Sequence, residues 1–204
     1  MPFYENHSVD HPVSLYGATK LAADKLFNAA NNLSKRSPIF STVRYGNVLG
    51  SRGSVIPFFK SFVKKKDKKI PITDKDMTRF FISVEESVKF VIHSLKKMKG
   101  GEIFVPKIPS IKITDLAKAI VPNRKHQIIG MRPGEKIAEV LITKDESKNT
   151  IEFDKYYIIY SEVFAKLNKR RNKPKIFEYN STTNKNFLSI KKIQSICKKL
   201  SLIW

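Results

Sequence analysis

Three things are scarce in this chain of 204 residues: cysteine, acidic side chains and long apolar runs. The single cysteine, Cys197, cannot form an internal disulfide, and no cysteine cluster has metal-ligand spacing. A disulfide scaffold and a cysteine-based zinc site are both excluded. No uncharged apolar run reaches the roughly 18 residues that span a bilayer. The opening MPFYENHSVDHPV carries neither the basic start nor the apolar stretch of a signal peptide. The expectation from these absences is a cytoplasmic protein.

Acids number 18 against 39 lysines and arginines, a formal charge of +21. Such an excess raises the question of nucleic acid or an anionic membrane. Its distribution answers otherwise: residues 1–100 carry 18 bases and 8 acids, residues 101–204 carry 21 and 10, so the excess is even. The densest run, Lys64-Lys65-Lys66-Asp67-Lys68-Lys69, sits between a helical pattern and a strand, where a solvated loop is expected. No zinc-finger spacing or RNP-like aromatic motif accompanies it. With 41% hydrophobic residues and 14 phenylalanines, the chain can build a core, which excludes wholesale disorder.

Apolar spacing predicts a helix from Leu15 to Leu33, ending before Ser37-Pro38, then a strand at Ile39–Tyr45 running into the turn Gly46-Asn47-Val48-Leu49-Gly50. Helix is expected at Val55–Val63, and extended segments at Ile70–Thr73 and Arg79–Ile82. Ser83 then caps a helix with Val84, Val88, Val91, Ile92 and Leu95 on one face, stopped by Gly100-Gly101. Beyond it the expectations are a strand at Glu102–Val105, a helix capped by Thr114 from Asp115 to Val121, a strand at Gln127–Gly130, and a helix carrying Ile137, Val140 and Leu141. Alternating strands and helices indicate an α/β protein. From residue 143 the pattern loosens: Tyr156–Ile159 reads as a strand, Lys166–Lys175 as a basic loop and Ser189–Leu200 as a closing helix.

Tyr16-Gly17-Ala18-Thr19-Lys20 places a phenol and an ammonium at i and i+4, on one helix face. A cation beside a phenol favours phenolate, which suits removal of a proton from a sugar or alcohol hydroxyl. Alone, that pattern also describes an ordinary helix with an exposed lysine. Its surroundings are more specific. YGATKLAADKLF, RYGNVLGSRGSVIPFF, PITDKDMTRFFIS, GGEIFVPKIPSIKITDLAKAI and IIGMRPGEK, in this order, resemble the inverting UDP-N-acetylglucosamine 4,6-dehydratases and CapD-like polysaccharide-biosynthesis proteins of the extended short-chain dehydrogenase/reductase superfamily. The likeness runs from Pro12 to about Ile142, and IFEYNSTTNKNFLSI also resembles that group's C-terminus.

The resemblance implies a fold class and a set of roles. The fold is the C-terminal part of a Rossmann-like α/β fold with a substrate-binding subdomain: residues 1–142 as the partial catalytic region, 143–204 as the family's C-terminal extension. Tyr16 is implied as the base at the sugar's 4-hydroxyl. Lys20 is implied at the nicotinamide ribose, Val48 at the nicotinamide and Asn47 at the substrate, with NADP as cofactor. Arg79 and Arg132 are implied at a diphosphate, suited to planar multi-donor cations. Glu135 is implied at a ribose hydroxyl, and Val55, Thr73 and Met77 at the uridine. Plain structural alternatives stand beside these: Arg79 paired with Asp76, Met77 as core, Glu135-Lys136 as a helix start, and Gly46 and Gly50 as turn residues.

Two family features are absent. No G-x-G-x-x-G turn occurs, the element that meets a dinucleotide pyrophosphate. Where the group carries Thr-Asp-Lys ahead of the tyrosine, this chain has Asn6, His7 and Ser8. The expectation is therefore a truncated protein, inactive alone, that takes a UDP-sugar and assembles either as a homo-oligomer or with a separately encoded N-terminal half. Epimerisation or reduction of a nucleotide sugar, or binding of a UDP-sugar or polyanion without catalysis, remain the alternatives.

Overall fold

The computed structural model describes residues 15–31, 38–51, 53–65, 68–161 and 176–202. The 16-residue helix α1 (Leu15–Ala30) is followed by two short strands, β1 (Thr42–Val43) and β2 (Asn47–Val48). β1 pairs in parallel with β5 (Ile103–Pro106), and β5 pairs antiparallel with β10 (Tyr156–Ile159), which in turn pairs with β9 (Thr150–Glu152). Between β1 and β5 the chain crosses over through α3 (Val84–Leu95).

Ser83 caps α3 as expected: its hydroxyl accepts from the Glu86 N–H, and the Glu86 carboxylate accepts from the Ser83 N–H. The apolar face of α3 is a surprise. Val84, Val88, Val91, Ile92 and Leu95 are exposed, whereas Ser87 and Ser94 are buried. Those serines can go inward because their hydroxyls donate to the carbonyls of Val84 and Phe90. Phe90 and His93 pack on Tyr156 of β10.

A second sheet carries the site. β2 pairs in parallel with β4 (Thr78–Ile82), and β4 pairs antiparallel with β6 (Ser110–Lys112). Beside it, β3 (Ile70–Ile72) pairs in parallel with β7 (His126–Ile128). Helices α2 (Val55–Lys60) and α4 (Ile113–Ile120) pack on these strands. Ile56, Phe59, Ile70, Ile72, Leu116 and Ile120 form one core with Ile193 and Cys197 of the closing helix α6 (Ile190–Lys199). α4 starts at Ile113 with Lys112 in the cap position, two residues before the predicted Thr114 start.

The predicted helix bearing Ile137, Val140 and Leu141 does not form. Val140–Ile142 is a strand, β8, paired antiparallel with β11 (Tyr179–Asn180). The reason lies in the backbone: the Ile137 carbonyl accepts from the Thr78 N–H, and the Glu139 N–H donates to the Ser181 hydroxyl. Both draw the segment out between β4 and the C-terminal region. A short helix, α5 (Lys144–Ser147), follows, with a capping box between Thr143 and Glu146.

Gly46 owes its place to packing. A Cβ there would lie 2.7 Å from the Phe80 carbonyl oxygen, so β2 can approach β4 only with a glycine ahead of it. Gly50 takes φ of 75°, and an added Cβ would meet Leu202. Asn6, His7, Ser8 and the Lys166–Lys175 loop lie outside the described residues.

Candidate functional site

A cavity of about 340 Å³ opens where β2, β4, α2, β3 and the loop after β7 converge. Asn47 and Val48 of β2 form one wall, and Val55, Phe58 and Phe59 of α2 another. Thr73 and Met77 come from the turn between β3 and β4, where the Asp74 carboxylate accepts from the Asp76 N–H. Thr73 also donates to the Met77 sulfur at 3.5 Å. Met77 is both core and lining: it is 5% exposed and borders the cavity.

Arg79 and Arg132 supply the positive charge. On β4, Arg79 has a side chain only 15% exposed, and its Nη1 donates to the carbonyls of Thr78 and Ile137. Its carboxylate neighbour is Glu139, at 3.6 Å from Nε, rather than the Asp76 that adjacency in sequence suggests. Burial pulls the guanidinium below its usual pKa, against the opposing charges of Glu139 and Glu135. Arg132 opens the turn Arg132-Pro133-Gly134-Glu135. Proline stands second and Gly134 third with φ of 83°, and the Glu135 N–H closes back on the Arg132 carbonyl, the signature of a type II turn. The Glu135 carboxylate accepts from the Arg132 N–H at 3.2 Å. No helix starts there.

Asn47, Val48, Val55, Thr73, Met77, Arg79, Arg132 and Glu135, spread over 89 residue positions of sequence, thus border one cavity. Tyr16 and Lys20 do not line it. They lie on α1, where Tyr16 is 71% exposed and the Lys20 Nζ sits 5.4 Å from the centroid of its ring, a cation–π placement. No residue of α1 is fully buried; Phe27 packs on Phe40 with ring centroids 5.6 Å apart, and polar ties add to that contact. Arg44 grips Asp24 at 2.6 Å and Glu146 at 2.9 Å, and the Asn31 amide pairs with both the N–H and the carbonyl of Phe40. Arg44 sits above its ordinary pKa, since the Glu146 and Asp24 contacts outweigh the desolvation that would lower it.

Sequence reasoning missed Glu139, Phe58, Phe59, Ile113 and Ile129. The apolar four carry no signal beyond hydrophobicity. Glu139 stands seven positions after Arg132 in a stretch read as helix, where a carboxylate signals only a solvated face.

The glycine-bearing stretch that leads into α2, Gly46 to Gly53, lacks the G-x-G-x-x-G spacing of a dinucleotide-binding turn.

Against known families, residues 8–161 match the model described as polysaccharide biosynthesis protein. The chain belongs to the polysaccharide biosynthesis protein family. Among curated members, the UDP-N-acetylglucosamine 4,6-dehydratase (inverting) of Campylobacter jejuni is 59% identical over 150 residues, covering 73% of this chain and 45% of the relative. A UDP-glucose 4-epimerase of Rickettsia bellii is 38% identical over 154 residues, with the same two coverages. This chain thus spans about half the length of the curated relatives it matches. Among solved structures, the X-ray structure of Pen from Bacillus thuringiensis superposes with a TM-score of 0.80 at 35% identity, covering 95% of this chain and 60% of that one. The architecture is the C-terminal part of the family's Rossmann-like extended short-chain dehydrogenase/reductase fold. Among the described residues, no helix is long and apolar enough to cross a membrane.

Proposed function

We propose that this chain is the nucleotide-sugar-binding portion of a UDP-N-acetylglucosamine 4,6-dehydratase-type protein of polysaccharide biosynthesis. The observation that carries the reading is the single cavity bordered by one amide, two arginines, one carboxylate and an apolar shelf. Arg79 and Arg132 hold the diphosphate, for which planar guanidinium donors are well matched. Glu135 accepts from a ribose hydroxyl, and Val55, Thr73 and Met77 shelve the uridine. Asn47 meets the sugar.

Tyr16 takes the proton from the sugar's 4-hydroxyl, and Lys20 meets the nicotinamide ribose of NADP. When bound, the nicotinamide supplies hydride exchange at that carbon. Val48 is the contact offered to the nicotinamide from the cavity side. Residues 143–204 are a supporting extension of residues 1–142. The chain alone is catalytically silent. Incubation with UDP-N-acetylglucosamine and NADP tests this: no 4-keto-6-deoxy product is expected, and its appearance overturns the silence. The 38% identity to UDP-glucose 4-epimerases supports a second reading, epimerisation, which the same assay separates by product.

A further inference from the structure

We infer that Glu139 is the positioning residue of this cavity, setting the orientation of Asn47 and the placement of Arg79 through one carboxylate. The inference rests on the nucleotide-sugar reading above and assigns a role to a residue that does not line the cavity.

Glu139 is anchored through its own backbone. It lies on the extended segment between the Arg132 turn and β8, and its own N–H donates to the Ser181 hydroxyl at 2.9 Å. Ser181 is fully buried and bonds in turn to the Thr78 hydroxyl at 2.8 Å. The backbone that carries the carboxylate is thus tied to β4 through a buried serine. The carboxylate has three clients. The Phe80 N–H donates to it at 3.2 Å, and the Arg79 Nε lies 3.6 Å away. The Asn47 amide, in the orientation its surroundings require, turns its nitrogen to the two oxygens at 2.9 and 3.2 Å.

Two of those clients border the cavity. The sense of an asparagine amide is set by its partners, and an acceptor-only carboxylate fixes nitrogen toward itself. With Nη1 of Arg79 on two carbonyls and Nε facing Glu139, Nη2 has no protein partner among the described residues. That nitrogen is the donor left for an anion.

A carboxylate beside an anion site looks counterproductive, because it repels a diphosphate. Its value is that a buried guanidinium needs a counter-charge to remain in place. At 3.6 Å the contact is long for a charge-assisted hydrogen bond, so Glu139 holds Arg79 without consuming it. Burial works against the charged form on both partners, lowering Arg79 and raising Glu139 from their ordinary pKa values.

Calorimetric titration of UDP and of UDP-N-acetylglucosamine into the purified chain, paired with thermal melts, tests the role. Glu139→Gln keeps the volume and an acceptor for Phe80 but turns an N–H toward Asn47 or Arg79. The expected result is affinity for both ligands about tenfold or more weaker, loss of any preference for the sugar-bearing ligand, and a melting temperature near that of the wild type. Glu139→Asp keeps the charge, and should retain part of the UDP affinity while losing the preference. If Glu139→Gln does not fold, the aspartate variant alone decides: unchanged affinity and preference overturn the role. Unchanged binding by Glu139→Gln overturns the positioning role and leaves the nucleotide-sugar reading intact. Weakened binding that merely follows a collapsed melting temperature makes Glu139 structural and also overturns it. No binding of either ligand by the wild type overturns both.

Discussion

Arg44 and Arg79 are both withdrawn from solvent beside carboxylates, with side chains 21% and 15% exposed, yet their surroundings drive them in opposite directions. Arg44 meets Glu146 through both terminal nitrogens at 2.9 Å, Asp24 at 2.6 Å and the Leu141 carbonyl at 3.0 Å. Its charge is over-compensated, its pKa rises, and that of Glu146 falls. Arg79 has one carboxylate at 3.6 Å, its pKa falls, and that of Glu139 rises. The first arrangement commits both terminal nitrogens and ties α1 to the body of the protein. The second retains donor capacity at the edge of a cavity. A guanidinium with both terminal nitrogens committed is a structural clamp, and an under-compensated one is fitted to a further anion.

The contrast extends to the regions that the two arginines serve. The cavity is backed by fully buried side chains such as Phe59 and Ile72, both 1% exposed, whereas no residue of α1 is fully buried and the helix leans on the Arg44 and Asn31 ties and a Phe27–Phe40 ring contact. Hydrophobic burial should therefore govern the cavity and charge should govern α1.

The largest effect expected is at Phe80, 0% exposed and packed on Tyr179 with ring centroids 4.7 Å apart. Phe80→Ala should cost about 4 kcal/mol in urea unfolding and abolish UDP binding, since it empties the core directly behind Glu139 and Gly46. Retained binding would detach the cavity from that core.

Arg44→Ala comes next. Removing one partner of a buried ion pair leaves charge uncompensated, at about 3 kcal/mol. Hydrogen exchange should then quicken along Leu15–Ala30 while UDP affinity stays within about twofold. Equal loss of protection in β4 would erase the distinction between the regions.

The smallest effect is the pH response, and its sign differs between the two sites. Glu146 is depressed in the folded protein by Arg44, after the opposing desolvation is overcome. Its stabilisation is therefore present above the ordinary carboxylate pKa and disappears as pH falls through the folded value. Glu139 is raised by burial. Its ionised form opposes folding, and that opposition is relieved as pH falls through the raised folded value. Acid melts should show Glu146→Gln flattening the loss of stability on acidification. Glu139→Gln should instead steepen that loss, because it removes the relief that protonation of Glu139 gives the wild type on acidification. The same slope in both variants would contradict the assignment.

Much of this was legible in the residues. The Ser83 cap, the Pro-Gly turn and the Tyr156–Ile159 strand follow from local chemistry, and β10 begins and ends at the predicted residues. The residues from Asn47 to Glu135 that the motifs single out border one cavity, and Tyr16 and Lys20 do not. Illegible were features set by distant partners. Val140–Ile142 has helical spacing but is stretched by Ser181 and β11, forty residues away in sequence. The outward valines of α3 carry the same pattern as a core face, and only the buried serines, bonded within their own helix, reveal which side packs. Glu139 acquires meaning only when β2, β4 and the C-terminal region meet. The Thr143–Glu146 capping box carries the T-x-x-E pattern, in a stretch whose surrounding periodicity is too weak to point to a helix.

The central claim is that the cavity binds the diphosphate end of a UDP-sugar through two arginines. Calorimetric titration of UDP into the wild-type chain and into Arg132→Ala tests it most directly, because Arg132 is exposed and its loss leaves the core intact. The account predicts saturable one-to-one binding by the wild type, weakened about tenfold or more in the variant at unchanged melting temperature. Equal binding by both proteins, or none by the wild type, would contradict it.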